Sequence, residues 1–183
     1  MIKDNDLTIE DKNKLIGQIL DVFSFLHKKE VFHGDIHTSN FIVDNELNVK
    51  LIDFGLSNHH KLNGEERLNN GGVFKYIPPE GLSENAFKIV NKQRADYRSE
   101  IYQIGVLIYF IVYEKFPHED QTWKSLYHLI KNKDAIINVL TPKKEVVSNP
   151  VISLLARCLT KKPLERYKDA VQLRNSWNTK YIR

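Results

Sequence analysis

The chain has 183 residues, 42% apolar and 27% charged, enough for a domain with a full core and typical of a soluble globular protein. Its formal charge of +4 is spread without a long Lys/Arg block, so nothing points to nucleic acid or a membrane surface as a partner. The longest apolar run, Ile104 to Tyr113, is about half the length needed to cross a bilayer, and the polar Lys3-Asp4-Asn5-Asp6 start does not read as a signal peptide. The lone Cys158 excludes an internal disulfide, and a cytoplasmic location is expected.

Leu15, Ile16, Ile19, Leu20, Phe23 and Leu26 recur at helical spacing behind the cap signature Thr8-Ile9-Glu10-Asp11, which predicts one amphipathic helix from about 9 to 28. Val31-Phe32 and Phe41-Ile42-Val43 read as short strands flanking a loop from His33 to Asn40. Asp44-Asn45-Glu46 then turns the chain into Leu47 to Ile52, where apolar and polar residues partly alternate. The loop and Asp53 therefore fall at strand ends, where a rigid scaffold can hold reactive groups. Residues 56 to 75 lack periodicity and read as a long mobile loop in which His59-His60 are solvated and not metal ligands.

A second polar stretch follows Pro78-Pro79-Glu80 to about residue 98. Ile101 to Tyr113 is apolar nearly all round, as a buried central helix would be, with Tyr102, Tyr109, Phe110 and Tyr113 in the core. Asn149-Pro150 opens another helix with the apolar face Val151, Leu154, Leu155, Cys158 and Leu159, which makes Cys158 a small core residue. A last helix is expected from Asp169 to Trp177. There is no internal repeat and no dividing linker, so residues 1–183 read as one domain of α+β class, mainly α.

The frame His33-Gly34-Asp35-Ile36-His37-Thr38-Ser39-Asn40, followed by Leu51-Ile52-Asp53-Phe54-Gly55, carries the chemistry. Phosphoryl transfer needs one carboxylate to accept a hydroxyl proton and separate hard oxygen ligands to hold metal ions on the phosphates. Asp35, with Asn40 five positions on and Asp53 thirteen after that, supplies those groups.

Taken with Pro78-Pro79-Glu80, Ser99-Glu100-Ile101-Tyr102-Gln103-Ile104-Gly105 and Lys162-Pro163-Leu164-Glu165-Arg166, these motifs resemble the C-terminal lobe of eukaryotic-like protein kinases from about Leu7 to Trp177. The resemblance implies a helical bundle around a buried central helix, with a small β-hairpin carrying the catalytic and metal residues. It makes Asp35 the general base, Asn40 and Asp53 Mg²⁺ ligands on ATP, and His33 with Phe54 part of a stacked internal spine beside Gly55. It makes Glu80 and Arg166 a structural ion pair, and Glu100 a brace beneath the catalytic loop in place of the family's usual Asp. The implied activity is serine/threonine-type transfer of the γ-phosphoryl of ATP to a protein substrate.

Departures from the family pattern accompany the matches. The family's Arg before the catalytic Asp is Gly34 here, and Leu56 to Ile77 holds one Ser or Thr, Ser57, which argues against switching by phosphorylation of that loop. His37 stands where serine/threonine kinases carry a Lys, and Val73 where they carry a Thr bonded to that Lys. The His-Gly-Asp-x-His loop is also similar to small-molecule kinases of the aminoglycoside and choline type. No Gly-x-Gly-x-x-Gly occurs, and Met1 lies about eight residues before the first helix. The family's N-terminal lobe is therefore expected to be missing, with the chain a truncated product or one half of a split kinase partnered by a separate lobe. A non-catalytic interaction module and a small-molecule kinase stay open as alternatives.

Overall fold

The computed structural model describes residues 7–55, 57–59, 74–82 and 97–181. The expected loop between residues 60 and 73, including His60 and Val73, and the polar stretch 83–96 lie outside the described residues. None of the described helices is long and apolar enough to cross a membrane.

Helix α1 spans Ile9–Lys28 and begins at a capping box: Thr8 Oγ1 accepts from the Asp11 N–H, and the Asp11 side chain accepts from the Thr8 N–H. The box satisfies donors that an N-terminus leaves open, which is why the helix starts where the apolar period starts. Its inward face buries Leu15, Ile16, Ile19, Leu20 and Phe23, each at 3% exposure or less. Burial of such a side chain is worth roughly 1.5–3 kcal/mol before entropy is counted. Lys12 shares this face because its Nζ reaches the Val112 carbonyl at 3.2 Å and Glu114 Oε1 at 2.8 Å.

Strands β1 (Val31–Phe32), β2 (Phe41–Val43), β3 (Val49–Leu51) and β4 (Asn58–His59) form two antiparallel pairs. The β2–β3 hairpin pairs Phe41 with Leu51 and Val43 with Val49 around an Asp44 turn whose Oδ1 accepts from the Glu46 and Asn48 N–H groups. That turn fixes the register. The β1–β4 pair corrects the expectation of a loop beginning at residue 56: Asn58 and His59 pair with Phe32 and Val31. The strand order β1 to β4 crosses the sequence gap that local periodicity does not reach.

Helix α2 (Tyr97–Tyr113) begins four residues before its apolar run, which brings Glu100 onto its first turn. Ile101, Ile104, Val106, Ile108 and Val112 are fully buried, and Gly105 is the crossing point with α4 (Asn149–Cys158): a Cβ there would lie 2.6 Å from Cys158 Cβ. Helix α3 (Trp123–Asn132) was not anticipated from the sequence. It is capped by Thr122 Oγ1 and buries only Leu126 and Ile130. Helix α5 (Ala170–Tyr181) packs along α1, where Trp177 faces Gly17 and Arg174 pairs with Asp21 at 2.6 Å and 3.0 Å.

Candidate active site

The loop between β1 and β2 turns at Gly34, whose φ of 80° is left-handed backbone that glycine adopts without a Cβ penalty. Its N–H donates to Glu100 Oε1 at 2.7 Å. Glu100 is buried, and its other oxygen, Oε2, lies 2.9 Å from His27 Nε2. The Ala170 N–H donates to His27 Nδ1 at 2.9 Å, so the ring proton sits on Nε2 and is donated to Glu100. One buried carboxylate thus joins the end of α1, the start of α2, the start of α5 and the catalytic loop, with a donor for each oxygen.

His33 is fully buried and uses both ring nitrogens. The Asp35 N–H meets Nδ1 at 3.4 Å, which leaves the Nε2 proton for the Ile52 carbonyl at 3.2 Å. Its carbonyl accepts from Ser57 Oγ at 3.1 Å, so the one Ser or Thr of the segment from Leu56 to Ile77 has a structural bond. His33 and Phe54, the two residues expected to share an internal spine, meet edge-on, 5.1 Å apart at 66°, an arrangement that ring quadrupoles favour. Phe54 remains 47% exposed.

Asn40 and Asp35 are held together. Asn40 Nδ2 donates to the Asp35 main-chain carbonyl at 2.8 Å and lies 3.4 Å from Asp35 Oδ2, which is also 3.3 Å from His37 Nε2. Asp35 Oδ1 is shielded from solvent and has no donor among the described residues. An unpaired buried acceptor is costly, and it marks Asp35 as the point where the loop's hydrogen bonding stays open. The Asn40 carbonyl accepts from the Ile52 N–H at 2.9 Å, which ties the loop to the strand end one residue before Asp53.

Asp53 is exposed, with a φ of 60°, and its Oδ1 accepts from the Gly55 N–H at 3.1 Å. A short carboxylate side chain tolerates this backbone because it bonds its own turn. A Cβ on Gly55 would come within 3.1 Å of that same oxygen, tighter than an ordinary contact.

The donor set fits Mg²⁺. Asn40 commits its amide nitrogen to the loop, which leaves the hard carbonyl oxygen as the ligand end, and Asp53 adds a carboxylate. No group of three or more His, Cys, Asp or Glu that could hold a metal occurs among the described residues. Mg²⁺ characteristically takes one or two protein oxygens and completes its shell with water and phosphate oxygens, so a sparse set suits it.

Tyr76 was not singled out in the sequence. Its hydroxyl accepts from the Thr38 N–H at 3.3 Å, and burial pushes the phenol's pKa up, so it stays protonated. It anchors the Phe74–Tyr76 turn to the catalytic loop. His27 was likewise read only as part of a helical stretch. Lacking an apolar period of its own, it gave no signal beyond a polar residue next to a core position.

Glu80 and Arg166 meet as a fork. Arg166 Nη1 and Nη2 donate to Glu80 Oε1 and Oε2 at 2.6 Å and 2.8 Å. The pair pins the Pro79–Gly81 turn to the segment before α5, while Ser99 Oγ donates to Glu80 Oε1 at 3.0 Å.

This arrangement, two carboxylates and an amide on a loop and hairpin braced from a central helix, coincides with a family match. Residues 1–178 match the protein kinase domain, and the chain belongs to the protein kinase family. It is similar to a protein described as "Probable cell cycle serine/threonine-protein kinase CDC5 homolog" in Encephalitozoon cuniculi, at 29% identity over 84% of this chain and 30% of the relative. CBL-interacting protein kinase 17 of Oryza sativa subsp. japonica is 30% identical over 93% of this chain and 35% of its own length. Protein kinase kin1 of Schizosaccharomyces pombe is 28% identical over 97% of this chain and 18% of its own. The chain thus spans about a third or less of the length of these curated relatives.

Proposed function

We propose that these residues form the catalytic lobe of a serine/threonine-type protein kinase that transfers the γ-phosphoryl of ATP to a protein hydroxyl. The observation that carries the reading is the bond from Asn40 Nδ2 to the Asp35 carbonyl, continued through the Asn40 carbonyl to Ile52. It ties Asp35, Asn40 and the strand end before Asp53 to one frame, which supports the reading.

Asp35 accepts the proton of the acceptor hydroxyl, and its Oδ2 contact with His37 orients the carboxylate. Asn40 and Asp53 would hold Mg²⁺, which neutralises phosphate charge when bound. Gly34 and Glu100 keep Asp35 in place, and the Glu80–Arg166 fork keeps the turn beside the acceptor site in place. The 183 residues contain no Gly-x-Gly-x-x-Gly, so we assign the cover over the other face of the nucleotide to residues outside them, on the same polypeptide or a second one. The cytoplasm is the proposed location.

The test is radiolabelled phosphate transfer from ATP to a mixed protein substrate by the chain alone, by the chain fused to a kinase N-terminal lobe, and by fused Asp35→Asn and Asp53→Ala variants. Transfer should appear in the fusion and fall by roughly 10²- to 10⁴-fold in Asp35→Asn, the range for losing a positioned base. Activity that survives both substitutions would show the site is misassigned. Inactivity of every fused sample would favour a non-catalytic interaction module, and labelling of choline or aminoglycoside acceptors alone would favour a small-molecule kinase.

A further inference from the structure

An aromatic and basic surface adjoins the loop that holds Asp35. Phe74, 45% exposed, opens the turn whose last residue, Tyr76, bonds the Thr38 N–H. Its ring lies 4.8 Å from that of Trp123 at the start of α3, and Tyr127 follows one turn later, 6.4 Å from Trp123. The Trp123 indole N–H is shielded from water and has no acceptor among the described residues, an unusual condition for a donor that normally finds a partner.

The same face is basic. Lys124 and His128 are exposed, Lys131 Nζ lies 5.8 Å from the Tyr127 ring, and the sequence of α3, WKSLYHLIKN, contains no carboxylate. Lys75, next to Phe74, has its Nζ 4.5 Å from the Phe116 ring. Among the described residues, two carboxylates, Glu119 and Asp120, stand ahead of α3 and accept from main-chain N–H groups. Glu119 Oε1 accepts from the Phe116 N–H at 3.2 Å and lies 3.8 Å from Lys75, and Asp120 Oδ1 accepts from the Thr122 N–H at 3.1 Å ahead of α3.

Resting on the kinase reading, we propose that Phe74, Trp123 and Tyr127, with Lys75, Lys124 and Lys131 around them, form the docking surface for the acceptor protein and take an acidic segment carrying an apolar or aromatic side chain. The rings supply area at low conformational cost, and the lysines supply steering and discrimination. Continuity through Tyr76 and Thr38 sets a segment seated here beside the loop of Asp35. Basic acceptor segments would meet the Lys124 and Lys131 ammonium groups, Lys75 already lying 3.8 Å from Glu119, and be rejected.

The experiment is fluorescence anisotropy on the full chain, without nucleotide, using a short labelled peptide with Ser, Phe and a run of Glu, against its analogue with Lys at every Glu. The acidic peptide should bind about tenfold or more tightly, and Lys124→Glu/Lys131→Glu should reverse the preference. Lys75→Glu serves as the second variant should the double one misfold. Equal affinity for the two peptides, or no binding by either up to about 1 mM, would overturn the proposal. So would self-association of the chain that the double variant dissolves, since a second copy would then occupy the face. The readout needs no phosphate transfer: a fused kinase with equal KM for both peptides would sink the docking assignment alone, whereas a chain that binds the acidic peptide and whose fusion transfers nothing would sink the kinase reading alone.

Discussion

Arg166 and Glu80 form a two-pronged ion pair in which the guanidinium has no idle donor. Nη1 and Nη2 each give one N–H to the carboxylate and one to a main-chain carbonyl, of Arg98 and Lys161 respectively, while Nε donates to Thr160. The five N–H groups that an arginine possesses are all engaged. The Tyr102 ring, 4.9 Å away, covers the cation, and the side chain of Arg166 is wholly buried against 16% exposure for that of Glu80.

Removing one partner of such a pair leaves a buried charge uncompensated. Glu80→Ala should cost roughly 3–5 kcal/mol in urea denaturation. Arg166→Lys should also be severe, because a single ammonium replaces a planar fork that spans two oxygens and three carbonyls. Asn45→Ala in the exposed hairpin turn should stay within about 0.5 kcal/mol of the parent. Equal small shifts for all three would show that the fork does not hold the turn.

Two glycines in helices should respond in opposite directions to the same change. At Gly105 the new methyl would collide with Cys158 Cβ, an atom that cannot swing aside, so Gly105→Ala should destabilise by about 1–3 kcal/mol or more by prising α2 from α4. At Gly17 the nearest atom is Trp177 Nε1 at 3.8 Å, ordinary contact distance, so Gly17→Ala should gain about 0.5–1 kcal/mol from helix propensity. Thermal or chemical midpoints of the two variants check both signs.

Acid sensitivity should trace in part to His118. Its pKa is held down first by burial and then by the Lys161 ammonium, with Asp134 pulling the other way. With the folded pKa below the unfolded one, the unfolded chain takes the proton first, so stability present above about pH 6.5 is lost as pH falls through the folded value. His118→Gln should flatten that loss, and Asp134→Asn should steepen it. Denaturation midpoints at mildly alkaline and mildly acidic pH give the comparison, and identical slopes in all three proteins would exclude His118 as the cause.

Much of this architecture could be read from the chain because local signals agreed. Helix α1 starts at Thr8, where the cap and the apolar period coincide, and the β2–β3 hairpin follows its Asp44 turn. Glu80 and Arg166, 86 positions apart, were paired by motif and not by any local rule. What stayed hidden depends on distant partners. Helix α3 is the exception, since Trp123, Leu126, Tyr127 and Ile130 recur at helical spacing behind the Thr122 cap although it was not anticipated. Strand β4 has two residues, and only its pairing with β1 makes it a strand. Lys12 sits inside because α2 ends in carbonyls that need a donor, and Gly105 is required only because α4 crosses there.

Glu100 and His27 supply the sharpest test of how the catalytic loop is held. Both carboxylate oxygens receive a donor, one from the Gly34 N–H and one from the His27 imidazole, and the ring cannot change its tautomer without giving up the Ala170 N–H. Glu100→Gln keeps the volume but replaces one acceptor by an NH₂ donor, so whichever way the amide turns, two donors face each other in a buried site. An unmet donor of this kind costs about 1–3 kcal/mol, and the loss should fall on the loop that carries Asp35. In a fused, active kinase the same substitution should lower kcat with little change in KM for ATP, because Gly34 adjoins Asp35, the proposed base, and touches neither Asn40 nor Asp53, the proposed metal ligands. His27→Ala combined with Glu100→Gln should cost less than the two single changes added together, with a coupling of about 0.5–3 kcal/mol. Additive effects, or a Glu100→Gln variant as stable as the parent, would mean that the Gly34–Glu100–His27 chain does not brace the loop.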